Sequence, residues 1–296
     1  MTHPPPRVAF STLAFPHTSL ASAVSLGRRW GYAGVELRLI DGELIDPAMP
    51  GPERARVKRV LTGSGSGSSS GVGLPVVAVD SSIRLTDADP DPGPLLRRFL
   101  ELASDWEAPL VRVFGGTLGP SRRERLRAAA RVLEASVPLA RRLGVAIGVE
   151  THDDFSASSA VADLLALADP EWVGAVWDSH HPHRVGEAPA QVYASLAGRI
   201  LLAQVKDARR AFGAAGSASA AGSANAAGSA DDDWRLVLLG QGEVPVRQLL
   251  GLLAAGGYQG WISVEWEKHW HPEIEAPEVA LPQYRRVLAE WMEESP

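Results

Sequence analysis

VAIGVETH, residues 145–152, is an apolar run that stops on two ligand-type side chains, Glu150 and His152. Three later stretches repeat the device. They are GAVWDSHH, residues 174–181, with Asp178 and His181; ILLAQVKD, residues 200–207, with Gln204 and Lys206; and WISVEWEKHW, residues 261–270, with Glu265 and Glu267. Crowded Val, Ile and Leu without clean alternation suit a parallel strand buried on both faces. An ionisable residue closing such a strand has a reason when the tip faces a shared cavity. Four such tips point to one divalent cation held by oxygen ligands, with bases beside it, which is equipment for proton chemistry on a sugar-like molecule.

Working outward from these runs, four more lie upstream: RVAFST from Arg7, AGVELRL from Ala33, PVVAVD from Pro75 and PLVRVFGG from Pro109. Amphipathic stretches separate them. Thr18 is a candidate cap for a helix that puts Leu20, Ala23, Val24, Gly27 and Trp30 on one face. Ser121 to Leu143 repeats the stripe with Leu126, Ala130, Leu133, Val137 and Ala140, and Val246 to Ala255 and Glu278 to Met292 read as further helices. Strands alternating with helices imply βαβ units, and eight units imply an α/β fold of the (β/α)8 TIM barrel type. GYAGVEL from Gly31 and GYQGWISVE from Gly257 echo each other where a helix ends and a strand begins. There Gly takes the left-handed conformation and Tyr packs back on the barrel.

We expect one domain over residues 1–296. Two low-complexity segments interrupt it, Thr62 to Gly73 and Ala211 to Asp233, too poor in apolar surface to order themselves. Both read as flexible loop insertions, because strand–helix logic resumes beyond each. The second follows strand seven and so hangs near the mouth of the barrel, as passive filler or as a lid.

Composition narrows the function classes. The chain of 296 residues is 45% hydrophobic and 22% charged, an ordinary globular balance. A net charge of −6 and the lack of a basic block argue against nucleic acid as a partner. The absence of cysteine excludes disulfides, thiolate nucleophiles and cysteine zinc sites. No stretch approaches the roughly 18 apolar residues of a membrane span, and the N-terminus lacks a signal pattern, so a cytoplasmic protein is expected.

Glu150, Asp178, Gln204 and Glu265 are the candidate metal ligands, since (β/α)8 enzymes keep their catalytic groups at the C-terminal strand ends. Three carboxylates and an amide oxygen suit Mn²⁺ or Mg²⁺, with Co²⁺ and Zn²⁺ as further candidates. Six of the eight histidines fall at or just past strand tips. His152 shares a strand side with Glu150 and is a candidate base, and His181 is within reach of the ion or a substrate hydroxyl. Glu36, Arg112, His181, Lys206 and Trp266 are the candidate substrate-binding residues. Arg112 either grips an anionic group of the substrate or forms a buried pair with a barrel carboxylate such as Glu36. Lys206 either pairs with Asp207 or meets substrate.

FSTLAFP, GYAGVELR, VRVFGG, VETH, WDSHHPH, QVKDAR and the closing VEWEKHWHPEIEAPEVALPQY together resemble the xylose isomerase-like TIM-barrel superfamily over nearly the whole chain. The resemblance implies a metal-dependent sugar, sugar phosphate or cyclic polyol isomerase or epimerase, with small carbohydrate-like substrates and often a homodimer. Glu150, Asp178 and Glu265 would be ligands, the two glutamates also forming the acid/base pair that works through a metal-stabilised enediolate. The chain departs from the pattern in strand seven, where many relatives carry His and this one carries Gln204. Dehydroshikimate dehydratases of the superfamily use Glu, Asp, Gln and Glu in this order, with a strand-four Arg on the substrate carboxylate and a His near the first Glu as base. A lyase, with Arg112 and His152 in those roles, is therefore the alternative, and a non-catalytic sugar-binding barrel is a third. Endonuclease IV belongs to the same superfamily, but the acidic balance and Gln204 speak against it.

Overall fold

The protein, described by a computed structural model over residues 7–64, 73–88, 91–211 and 233–294, closes its strands into one ring. The strands are β1 (Arg7–Ser11), β2 (Gly34–Leu37), β3 (Val76–Arg84), β4 (Leu110–Phe114), β5 (Ala146–Glu150), β6 (Val173–Asp178), β7 (Ile200–Val205) and β8 (Trp261–Val264). Each lies parallel to its sequence neighbours, and β8 closes on β1 from Arg7↔Trp261 to Phe10↔Val264. All eight runs read from the sequence are the eight staves of this (β/α)8 barrel.

Helices α1 (Leu20–Arg29), α2 (Gly51–Thr62), α3 (Pro92–Asp105), α4 (Arg122–Leu143), α5 (Ser158–Leu165), α6 (His180–Arg184), α7 (Pro189–Leu196), α8 (Val246–Ala255) and α9 (Pro277–Glu293) fill the connections. The cap of α1 is Ser19, not Thr18. The Ser19 hydroxyl accepts from the Ser22 N–H at 3.2 Å, and its backbone is extended as a cap requires. Gly31 and Gly257 adopt φ of 84° and 70°, so both echoed turns use the left-handed geometry that only glycine takes freely. Tyr32 donates to the Leu281 carbonyl and Tyr258 to that of Trp261, tying the two turns back to the barrel.

Strand alternation sorts the side chains into two layers. Val35, Val79, Val111, Val113, Ile147, Val149, Trp177, Val205 and Val264 face the helices in one continuous core. Each buried Val or Leu there contributes roughly 1.5–3 kcal/mol. Ala9, Ala78, Leu110, Val176 and Leu202 make a second, small cluster within the barrel. Two residues further on, the same inward face carries Ser11, Asp80, Arg112, Asp178 and Gln204, all buried. Glu36, Glu150 and Glu265 complete this polar ring from β2, β5 and the end of β8. The barrel thus has a dry layer with an ionisable layer one pleat above it.

Most of the two low-complexity segments, residues 65–72 and 212–232, lies outside the described residues. What brackets the second was not foreseen. Asp207–Arg210 pairs antiparallel with Trp234–Val237, so the segment leaves and returns through a two-stranded ladder beside the barrel mouth. No helix among the described residues is long and apolar enough to cross a membrane.

Candidate active site

Asp178 closes β6 and does two jobs. Its Oδ1 accepts the backbone N–H groups of His180 at 2.7 Å and His181 at 3.0 Å, at the start of α6. Its Oδ2 lies 3.0 Å from the Lys206 ammonium. Lys206 Nζ also sits 2.6 Å from Glu265 Oε2 and contacts Glu267 Oε1, so one buried cation is shared by three carboxylates. Gln204 Nε2 donates to Glu36 Oε1 at 2.8 Å and to Glu265 Oε1 at 3.3 Å, while Ser263 holds the other Glu36 oxygen. That orientation leaves Gln204 Oε1 buried with no hydrogen-bond partner among the described residues.

Arg112 lines the opposite wall. Its Nε is 2.9 Å from Glu150 Oε2 and its Nη2 3.4 Å from Asp80 Oδ2. The Glu150 contact lacks hydrogen-bond alignment, so it is a meeting of charges and leaves that oxygen available for other bonding. Arg112 Nη1 donates to the Ser81 carbonyl at 2.8 Å, and its guanidinium lies over the Phe114 ring at 4.2 Å. Oxygens of Glu150, Asp178 and Glu265 lie within 4.8 Å of one another. A second group, Glu150 with His152 and His181, meets the same limit. His152 stands edge-on to His181 at 4.3 Å, rests against Phe114 at 4.4 Å, and points Nδ1 at Asp153 from 2.9 Å.

Burial governs the charges. It pushes the Glu150 carboxyl up to about 7, against the pull of Arg112. It also raises Glu36, where Asp80 and Glu265 add their repulsion, and Asp80. For Lys206 burial works the other way, but Asp178, Glu265 and Glu267 outweigh it, so the ammonium is held well above its ordinary range. His180 falls to about 3 through burial and the Lys206 charge, and His181 falls through burial and its neighbour His152. Both shifts favour the neutral imidazole.

The structure brings Glu36, Arg112, Glu150, Asp178, Gln204, Lys206 and Glu265 to one buried polar layer, with His152 and His181 at its edge. It does not bring Trp266 there. The pleat that turns Glu265 inward turns Trp266 outward, where it is buried against Tyr284 of α9 and donates to the Glu275 carbonyl. Arg112 pairs with Glu150 and Asp80, not with Glu36. Asp207 is no partner of Lys206. Its carboxylate collects the N–H groups of Ala208, Gly240, Gly242 and Val244, which ties residues 240–244 to the end of β7. His180 and His183 both stand edge-on to Trp234 of the ladder. Two site residues escaped the sequence reading, Asp80 and Arg38. The signal for Arg38 was its place two residues after Glu36 on the same strand side.

The donor set suits a hard divalent cation. Glu150, Asp178 and Glu265 converge, and Gln204, whose Nε2 reaches Glu265, keeps a buried amide oxygen with no hydrogen-bond partner among the described residues.

Comparison with known proteins agrees with this fold. A family model described as a xylose isomerase-like TIM barrel matches residues 24–293. No curated protein gives a significant sequence match. Among solved structures, the IOLI protein with a binding zinc atom superposes with a TM-score of 0.74 at 16% identity, covering 98% of this chain and 99% of that one. L-ribulose 3-epimerase gives 0.70 at 14% identity, covering 98% and 95%. The probable 3-DHS dehydratase AsbF of petrobactin synthesis from Bacillus anthracis gives 0.68 at 16% identity, covering 96% and 98%.

Proposed function

Because this chain belongs to the xylose isomerase-like TIM barrel family, we propose that it is a divalent-metal-dependent isomerase or epimerase of a small sugar, sugar phosphate or cyclic polyol. The observation that carries this reading is the convergence of Glu150, Asp178 and Glu265 beside the unpartnered Gln204 oxygen. These four residues would hold the ion, with Mn²⁺ or Mg²⁺ the best match to an all-oxygen set. A cation there supplies Lewis-acid polarisation of a carbonyl and its neighbouring hydroxyl.

The chain's own groups then have distinct tasks. Glu150 and Glu265 stand on β5 and at the end of β8, three strands apart on the ring. They approach a bound ligand from different sides, one to take the proton α to the carbonyl and the other to return it. Return to the same carbon from the opposite face inverts it, and return to the adjacent carbon isomerises. Arg112 fixes the Glu150 carboxylate and Lys206 fixes that of Glu265. His181 would meet a substrate hydroxyl, Glu36 is held by Gln204 and Ser263, and Trp266 supports the strand end from behind. A cytoplasmic setting and a homodimer complete the reading, to be checked by fractionation and light scattering.

A metal-dependent lyase is the second reading. It is favoured by Gln204 among the ligands and by the His152–His181 pair beside Glu150, where His152 could act as base. Incubation of Mn²⁺-loaded protein in D₂O with ketoses, inososes and 3-dehydroshikimate separates the two. An isomerase returns deuterated material with its oxygen count conserved. A lyase releases water and creates a conjugated ultraviolet band. If Glu150→Gln leaves every turnover unchanged in a folded protein, both enzyme readings fail and a sugar-binding barrel replaces them.

A further inference from the structure

Arg38 has no task in the scheme above, yet it is built into the site. Only 7% of it is exposed. Its backbone N–H and that of Leu39 both donate to Thr12 Oγ1, at 2.9 and 2.8 Å, which pins the chain where β2 ends. Strand alternation places it on the same side as Glu36. Among the described residues its guanidinium makes one hydrogen bond, a long one of 3.4 Å from Nη1 to the Asp80 carbonyl.

The other two buried cations of the polar layer are differently placed. Arg112 meets Glu150, Asp80 and the Ser81 carbonyl, and Lys206 meets Asp178, Glu265 and Glu267. A largely buried guanidinium that makes one long hydrogen bond keeps most of its five donors free to meet a ligand. Arg112 repels its charge, Asp80, Glu150 and Glu265 attract it, and its field reaches His269 in the segment after β8. The planar fork of an arginine matches an anion with two parallel oxygens.

We propose that Arg38 is the recognition point for a carboxylate carried by the substrate, so that this barrel acts on a polyhydroxy acid in preference to a neutral sugar. A carboxylate fits better than a phosphate, because one guanidinium faces a layer crowded with acidic groups, where a second negative charge meets added repulsion. The inference rests on the reading of this barrel end as the active site, and it holds for either reaction considered there. It also moves the task of holding an acid from Arg112, whose charge is already met by Glu150 and Asp80 and whose Nη1 donates to the Ser81 carbonyl, to Arg38.

Calorimetric binding to the full-length protein, as isolated and after Mn²⁺ loading, tests it with matched probes. One pair is D-tagaturonate and D-tagatose, and the other is quinate and its methyl ester. D-fructose 6-phosphate is the phosphate arm. At least one acid should bind about tenfold or more tightly than its neutral partner, the margin of one charge-assisted contact. Arg38→Met should bring that ratio to about one, with Arg38→Lys between, while the thermal melting curve shows that each variant is folded. The proposal is overturned if neither acid is preferred, if none of the probes binds, or if the preference survives in Arg38→Met. Tighter binding of the phosphate arm than of both acids overturns the carboxylate assignment. Metal content measured on the same samples separates the two claims. Absence of bound ion sinks the metal-dependent reading without altering the acid-to-neutral ratio.

Discussion

The two halves of the polar ring are built from opposite materials. From β5 to β8 the inward tips are Glu150, Asp178, Gln204 and Glu265, which offer oxygen atoms, with Lys206 as the internal counter-charge. From β2 to β4 they are Glu36, Asp80 and Arg112, with Arg38 just beyond, so acids and guanidinium groups alternate. On the proposed reading the first half would hold a cation and the second would balance charge and meet an anion. The lesson is that a crowd of buried carboxylates needs a compensating wall. Without Arg112 and Lys206, five buried carboxylates would face one another at a cost that no fold of marginal stability could carry.

Removing a ligand should give the largest effect. Asp178→Asn keeps an oxygen to accept the His180 and His181 N–H groups but removes the charge at Oδ2. Metal affinity should fall by at least about 100-fold, more than loss of an outer partner causes, and turnover should fall with it. Titration with Mn²⁺ and steady-state kinetics check both. An unchanged affinity would break the division between the two halves.

Next comes Lys206→Met, which acts on the first half from inside. In the metal-free protein it strands Asp178, Glu265 and Glu267 without their shared cation, a loss of about 3–5 kcal/mol. Mn²⁺ should restore most of that loss and bind more tightly than to the wild type, because the ammonium no longer competes for the same oxygens. Denaturant melts with and without Mn²⁺ read this directly. A variant that is equally stable in both conditions would show that the carboxylates do not share one cation site.

Arg112→Met tests the second half and should also cost about 3–5 kcal/mol, since Glu150 and Asp80 lose their partner. Added Mn²⁺ should recover less of the loss than in Lys206→Met, because Asp80 lies outside the ligand set. A smaller effect is expected from chelator treatment of the wild type. Stripping the ion should remove turnover and lower stability by about 2.7 kcal/mol relative to protein held at 100 times its Kd, as linkage requires.

How much of this was legible in sequence differs between the same two halves. The tips of β5 to β8 stood out because each apolar run is followed at once by a ligand-type residue. Asp80 and Arg38 were equally available in PVVAVD and GVELRL. Their roles depend on alternation across the barrel, and that becomes visible only when Ala78, Leu110, Val176 and Leu202 are seen to form one layer below them. The same alternation removed Trp266 from the site, since residue type suggested a substrate wall while the pleat directs it to α9. The ladder of Asp207–Arg210 with Trp234–Val237 was hidden because its partners are separated by a long segment of small residues that carries no pairing signal. The left-handed turns at Gly31 and Gly257, by contrast, follow from local chemistry alone and were legible in full.

The central claim is that one divalent ion is held by the first half of the ring. Elemental analysis of protein dialysed against Mn²⁺ measures it most directly, in the wild type and in Glu150→Ala, Asp178→Ala and Glu265→Ala. The account predicts about one ion per wild-type chain, as four oxygen donors at one point require, and little or none in each folded variant. Unchanged metal content in all three variants would contradict it.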